Sequence, residues 1–265
     1  MNVTIANDFT PVTITLAGRT VADAADSVIA YLEGRGGTGT ANRIADYDYA
    51  ALVQRNDFAQ RLSHTRITRA TIASADNLMA QFHRTYAGNP LTDWFAPQEA
   101  TAPWEVITAA HTFIGADPNN CDGHYDDVCV LWNHFIPVTQ IGRKIGIGET
   151  QVNKVLHQIF PNLIPIFDRK LNDLYWQFKA PLRTSIRAIR QQNCPTNPWN
   201  KDGFGWEPMR QDMIAITAAG FHEIRRQVAT RPCLNRLVLD SQAAQVWAAR
   251  NLSDVRLIDM IAWQL

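Results

Sequence analysis

The sequence predicts a mainly α-helical protein with a short β arm at its N-terminus. Apolar residues recur at spacings of three and four along most of the chain, which is the periodicity of helices with one buried face. β-Branched residues alternate with others only within residues 1–18, a pattern typical of a short hairpin or arm. With 265 residues, of which 46% are hydrophobic, the chain is long enough to form one large helical unit over 1–265.

The first helix is predicted to begin after Thr20, a residue type that caps helices, and to end near Glu33. The glycine-rich segment 34–40 follows a helix and lacks the Gly-Lys-Ser/Thr ending of a phosphate loop, so we interpret it as an ordinary loop. The residues expected on the buried face of this helix are Val21, Ala24, Ala25, Val28, Ile29 and Leu32. Further helices are expected at 45–62, 74–86, 103–114 and 125–136.

The last third of the chain has the same periodicity. Gly220 marks the point where a helix there would be interrupted, because glycine disfavours helix interiors. Ser253 is expected to cap the last helix. Helices are expected at 169–178, 182–192, 207–228, 240–250 and 253–264, with a long loop at 193–205. The packing residues of the last helix would be Val255, Ile258, Met260, Ile261 and Trp263.

Charge is balanced over the whole chain but not along it. Lys+Arg and Asp+Glu each number 25, so the protein as a whole does not attract nucleic acid. Between residues 143 and 190, however, nine basic residues stand against three acidic ones, a local balance of +6. Arg183, Arg187 and Arg190 fall on one helical stripe, which suits either a surface facing DNA phosphates or an ordinary solvated face.

The four cysteines are scattered along the chain, and no Cys-x-x-Cys pair is present. We therefore expect no metal site, and we expect reduced, buried thiols, as in a cytoplasmic protein. No apolar run approaches the length of a membrane span, and the N-terminus lacks the pattern of a secretory signal, so we expect no membrane association.

Residues 138–160 have the pattern of two short helices joined by a Gly-x-Gly turn. Gly146 and Gly148 would let that turn adopt positive φ and let its backbone approach a phosphate closely. The second helix would present free N–H groups and the positive end of its dipole to the same phosphate. The pattern predicts a helix-hairpin-helix, which clamps the DNA backbone without sequence preference, although a tight turn between helices would have the same residues. His157 on the second helix would be either a surface residue or a phosphate contact.

Residues 161–175 comprise a proline-containing loop that ends at Asp168 and the helix that follows it. An aspartate at this point is a normal N-cap, which accepts hydrogen bonds from the first free N–H groups of the helix. The same bonds would hold a carboxylate in place, and a fixed anion can stabilise the positive charge that a sugar develops as its base leaves. Capping and catalysis are therefore compatible roles for Asp168.

The hairpin and the aspartate together resemble the helix-hairpin-helix (HhH-GPD) superfamily of DNA glycosylases. The resemblance covers about residues 138–175 and includes the spacing from the first hairpin glycine to Asp168. It implies two helical lobes around a DNA cleft and Asp168 as the catalytic residue. The residues it implies for DNA binding are Lys144, Gly146, Gly148, Thr150, Lys154, Arg169 and Lys170.

Two departures from the family pattern have consequences. Lys144 stands where a proline is usual, and Thr150 stands where lyase-active members carry a catalytic lysine. The resemblance thus implies a monofunctional enzyme that leaves the abasic site uncut. Some members hold an iron–sulfur cluster with four closely spaced cysteines, and this chain lacks that motif. We expect no cofactor beyond a monovalent or divalent cation at the hairpin.

A glycosylase must also hold an extruded base between aromatic or apolar side chains. His124, Tyr125 and Trp132 precede the hairpin and are candidates for this pocket. Their alternative roles are ordinary loop and helix-start contacts for the first two and core packing for Trp132.

Three functions are compatible with these patterns. The first is a monomeric DNA glycosylase that acts on double-stranded DNA, in repair or in defence against phages with modified bases. The second is a catalytically inactive helix-hairpin-helix DNA-binding protein. The third is a helical protein with no nucleic-acid role.

Overall fold

The computed structural model describes residues 21–32, 73, 77, 90–95, 112–120, 125–126, 149–166, 168–194, 207–231 and 250–264. Regular secondary structure in these residues is α-helical, which confirms a mainly α fold for the described part of the chain. Its helices are α1 (Val21–Leu32), α2 (Pro90–Phe95), α3 (Glu149–Ile159), α4 (Arg169–Asn193), α5 (Glu207–Thr230) and α6 (Asp254–Trp263). The predicted β arm, the helix at 45–62, the Gly-x-Gly turn and most of the loop at 193–205 lie outside the described residues. None of the described helices is long and apolar enough to cross a membrane.

Two short segments depart from the helices that the sequence predicts. The helix expected at 103–114 does not reach its predicted end, because residue 112 is not helical and residues 113–115 form a turn. Helix α2 was not predicted. It begins at Pro90, and proline suits the first helical position because the N–H that it lacks would have no partner there.

Helix α6 forms the centre of the described core. Every residue from Val255 to Ala262 is buried, and the helix contacts α1, α4 and α5. Burial on all sides is expected of a helix in the middle of a domain. The Oγ atom of Ser253 accepts a hydrogen bond of 3.1 Å from the backbone N–H of Arg256, so the predicted cap is confirmed. Most of the predicted packing residues are fully buried, and Trp263 at the end of the helix is partly exposed.

Helix α1 packs against α5 and α6 through the face that the sequence predicts. Ala24, Ala25, Val28 and Ile29 are all buried. An ion pair between Arg231, just after α5, and Asp26 joins the two helices at one end. The first helix and its apolar face are thus confirmed.

Helix α4 is one continuous helix of 25 residues, where the sequence predicted two. The gap between the two predicted helices, 179–181, contains Pro181, and proline lacks the N–H that an interior helical position donates. The helix continues through it because both halves are held by the core: Leu171 and Tyr175 are buried before the proline, and Ile186 and Arg190 are buried after it. Tertiary packing thus outweighs the local preference.

Helix α5 is interrupted at Thr217, three residues before the glycine at which a break was predicted. Thr217 has φ 65° and ψ 161°, a conformation that is populated almost only by glycine and is costly for a β-branched residue. Its Oγ1 atom accepts a hydrogen bond of 3.3 Å from the N–H of Gly220, so Thr217 caps the second half of the helix. The cap partly offsets the strain of the backbone.

Two buried arginines hold the segment 112–120 against α4 and α5. Arg190 donates to the carbonyl of Pro118 at 3.1 Å, and Arg210 donates to the carbonyl of Ile114 at 2.9 Å. Arg210 also bonds Glu207 at 2.8 Å, in a pair of which both side chains are buried. Burial raises the pKa of Glu207 above its ordinary value of 4.5, although the charge of Arg210 opposes this effect.

We expect Thr217→Gly to stabilise the protein by about 1 kcal/mol, because glycine tolerates positive φ and loses only a few tenths as a cap. Ala219→Gly, at an exposed helical position in the same helix, should instead cost about 0.5–1 kcal/mol. Urea unfolding of both variants measures the difference. Equal losses in the two variants would contradict the strain at Thr217.

The raised pKa of Glu207 gives its contribution to stability a defined dependence on pH. Above pH 4.5 the folded state binds more protons at this site than the unfolded state does, so the stability contributed by Glu207 falls as the pH rises. We expect the unfolding free energy of the wild type minus that of Glu207→Gln to decrease as the pH rises from 4 to 8. A difference that is constant with pH would overturn this assignment.

Candidate active site

The loop that ends at Asp168, residues 161–168, is called the aspartate loop here, and it follows the length of α6. At the start of α6, Ser253 Oγ donates to the carbonyl of Pro161 at 2.7 Å. In the middle of the helix, Asp259 Oδ2 accepts from the N–H of Ile166 at 2.8 Å. The C-terminal helix thus positions a loop about 90 residues earlier in the chain.

The carboxylate of Asp168 is fixed through both of its oxygens. Oδ1 accepts a hydrogen bond of 3.0 Å from the N–H of Leu171, with the backbone of Asp168 in an extended conformation (φ −96°, ψ −176°). Oδ2 accepts a hydrogen bond of 2.9 Å from Nε1 of Trp263, the last residue of α6. The first bond confirms the predicted N-cap of α4. Asp168 is half-buried, and its role in catalysis stays a prediction.

The Trp263 side chain is itself held from two sides. Lys170 Nζ donates to the Trp263 carbonyl at 2.5 Å and lies 4.4 Å from the centroid of the indole ring, a cation–π distance. Tyr31 of α1 meets the same ring edge to face, with the centroids 5.5 Å apart. Lys170, which was predicted to bind DNA, is exposed. Its contacts with Trp263 place it next to the residue that bonds Asp168.

A buried charge pair lies beneath this surface. Arg256 NH1 is 3.5 Å from Asp259 Oδ2, and Arg256 NH2 donates to the hydroxyl of Tyr31 at 2.6 Å. Buried charges are tolerated where such partners satisfy them. Hydrogen bonds and ring contacts thus connect the aspartate loop, α1, α4 and α6.

The described part of the predicted DNA clamp is the second hairpin helix, α3. The helix begins at Glu149, immediately after the predicted turn, and its apolar residues Val155 and Leu156 are buried. Thr150 and Lys154 on this helix are half-buried. Lys144, Gly146 and Gly148 lie outside the described residues, and Arg169 is the first residue of α4.

His157 is a core residue, so neither role considered for it from the sequence was correct. The side chain is 1% exposed, and its Nδ1 lies 2.5 Å from the carbonyl oxygen of Ile164. The histidine therefore connects α3 to the aspartate loop from inside the molecule. The residues that surround His157 in the sequence do not indicate this contact with Ile164.

Tyr125 and Arg190 pack together within the core. Tyr125 is 0% exposed, and the guanidinium carbon of Arg190 lies 4.5 Å from the centroid of its ring. Arg190 also forms an ion pair with Asp126, so its predicted place on an exposed basic stripe was wrong, whereas Arg187 is exposed. His124 and Trp132, the other candidates for a base pocket, lie outside the described residues.

Cys194, immediately after α4, is disulfide-bonded, so the prediction of reduced thiols was wrong for this residue. Among the described residues, no group of three or more His, Cys, Asp or Glu side chains could hold a metal ion. Comparisons with protein-family models, curated proteins and solved structures found no match to this chain.

Trp263 is the site residue that sequence reasoning missed, since it was expected only to pack. Its indole N–H donates to a carboxylate that lies 95 residues earlier. The available signal was general: a buried tryptophan N–H usually finds an acceptor, but sequence alone does not identify which one.

We expect Asp168→Ala to lower the free energy of unfolding by about 2 kcal/mol, because the N-cap is lost and the Trp263 N–H loses its acceptor. Asp168→Asn should cost less, since asparagine is also a good cap. Urea unfolding of both variants, with Gln191→Ala at an exposed site of α4 as the control, measures these effects. An equal loss in the alanine and asparagine variants would contradict the capping role.

Proposed function

We propose that this chain is a monofunctional DNA glycosylase, which extrudes a damaged or modified base from duplex DNA and cleaves its N-glycosidic bond. The observation that supports this proposal best is the fixed carboxylate of Asp168. It caps α4, it is half-exposed, and each of its oxygens accepts a hydrogen bond. The number of residues between the Gly-x-Gly sequence and Asp168 is also the number that the glycosylase resemblance requires.

The carboxylate would act on charge that develops in the sugar. As the bond between C1′ and the base breaks, the bonding electrons leave with the base and the sugar gains oxocarbenium character. A pre-oriented anion stabilises that charge without having to reorganise during the reaction. Water then adds to C1′, and the proton that it loses balances the negative charge on the departed base, so that an abasic site and the free, protonated base are left.

Strand cleavage is not part of the proposal. A lyase forms a Schiff base between an amine and C1′, and the position where lyase-active relatives of the resembled family carry a lysine is occupied by Thr150. Lys170 is the amine nearest to Asp168 along the chain, and its Nζ is engaged with the carbonyl and the ring of Trp263.

DNA would be held by the N-terminal end of α3 and by neighbouring cations. The turn before Glu149 would present backbone N–H groups to a phosphate at the positive end of the helix dipole. Lys170, exposed two residues after Asp168, would place a positive charge near a phosphate of the extruded nucleotide.

The second candidate is a DNA-binding protein of the same fold that has no catalytic activity. The same hydrogen bonds support it, because the cap of α4 and the acceptor for Trp263 together give Asp168 a complete structural role. On this view the aspartate loop serves only to join α3 to α4, and DNA is bound through its backbone.

A transition-state mimic distinguishes the two candidates without requiring that the substrate base be known. We expect the wild-type protein to bind a duplex that carries a cationic pyrrolidine abasic-site analogue at least about tenfold more tightly than the matching normal duplex. Asp168→Asn should abolish this preference. Asp173→Asn, which removes a charge from an exposed position in the same helix, should retain it.

Equal binding of both duplexes by the wild-type protein would support the backbone clamp and overturn the glycosylase proposal. Salt titration with normal duplex completes the test, because binding through phosphates weakens steeply as the salt concentration rises. No affinity for duplex DNA at low salt would overturn both candidates.

A further inference from the structure

We propose that Trp263 is a positioning residue, whose indole N–H sets the orientation of the Asp168 carboxylate toward the reacting sugar. The inference rests on the proposed function and extends it to a residue 95 positions later in the chain. It starts from the hydrogen bond of 2.9 Å between Trp263 Nε1 and Asp168 Oδ2.

Capping alone does not determine the orientation of a carboxylate. The torsion between Cβ and Cγ of an aspartate is broad, so a single bond from the N–H of Leu171 leaves the group free to turn about it. The bond from Trp263 holds the second oxygen from a different helix. With one donor on each oxygen, the plane of the carboxylate is defined.

The donor is rigid in turn. Lys170 holds the backbone of Trp263 through its carbonyl at 2.5 Å and lies over the indole at 4.4 Å. Tyr31 packs edge to face against the same ring, with an interplanar angle of 87°. Trp263 also terminates α6, whose residues from Val255 to Ala262 are buried. The indole therefore cannot turn away without disturbing three helices.

Orientation matters because the effect of Asp168 on the sugar would be electrostatic. Preorganised charges stabilise a transition state to the extent that they are already in place when charge develops. Loss of the indole N–H would leave the negative charge present but mobile. Trp263 would thus affect discrimination between a charged and a neutral sugar more than affinity for DNA.

The test compares two abasic-site duplexes that differ in the charge of the sugar mimic, a cationic pyrrolidine and a neutral tetrahydrofuran. The ratio of the two dissociation constants reports the electrostatic contribution of the site. We expect Trp263→Phe, which keeps an aromatic ring but lacks the N–H, to lower the wild-type preference for the cationic duplex about tenfold. Binding of the tetrahydrofuran duplex should change little.

Tyr31→Phe is the matched control. It removes a buried hydroxyl that bonds Arg256 at 2.6 Å and keeps the ring that packs on Trp263, so it weakens the same region while leaving the indole N–H in place. It should lower the urea midpoint and leave the ratio of dissociation constants unchanged. An equal fall of the ratio in both variants would indicate general loosening and overturn the proposal.

A stability cycle tests the hydrogen bond itself in the absence of DNA. Whichever way the amide of Asp168→Asn lies, its NH₂ group meets one of the two N–H donors, from Leu171 or from Trp263. We expect this substitution to lower the urea midpoint of the wild-type protein but to lower that of Trp263→Phe much less. Equal shifts in the two backgrounds would overturn the positioning role.

The failure of this inference differs from the failure of the proposed function. If the wild-type protein prefers the cationic duplex, Asp168→Asn abolishes the preference and Trp263→Phe retains it, only the role of Trp263 is overturned. If the wild-type protein binds both abasic duplexes equally, the glycosylase proposal and the role of Trp263 are overturned together.

Discussion

The burial of α6 on all sides is the constraint on which the described structure depends. A helix in that position must satisfy every polar group on its surface from neighbouring elements, and two of its buried side chains are charged. Arg256 is bonded by Tyr31 of α1, and Asp259 accepts the backbone N–H of Ile166 from the aspartate loop. The charged positions of the central helix therefore determine where a helix and a loop distant in sequence are attached.

The geometry of the candidate site therefore depends on residues outside its own segment of the chain. The start of α3 and the cap at Asp168 are local in sequence, and local preferences account for both. The path between them is set by contacts with α6, at Ser253, Asp259 and Trp263. Such contacts have high sequence separation, so the geometry of the loop depends on the packed core as well as on its own sequence.

Prediction from sequence succeeded where a single helix face decides the outcome and failed where distant partners do. Helix α1, helix α6 and its cap followed from periodicity and capping residues. Two helices were expected at 169–178 and 182–192, but buried residues on both sides of the gap carry a single helix through it. Arg190 and His157 were expected at the surface, but Pro118 and Ile164 supply backbone carbonyls for them in the core. The positive φ of Thr217 had no local signal, because threonine does not favour that conformation.

The two roles of Asp168 need not compete. Serine or asparagine would cap α4 about as well as aspartate, but each has a single acceptor oxygen, so neither could cap the helix and accept from the indole of Trp263 at the same time. Neither would bring a full negative charge to a half-exposed position with an orientation set by two helices. What distinguishes aspartate from the other capping residues here is therefore its second acceptor oxygen together with its charge, and a charge held in place is the property that cleavage of a glycosidic bond requires. The structural role supplies the rigidity on which the proposed chemical role depends.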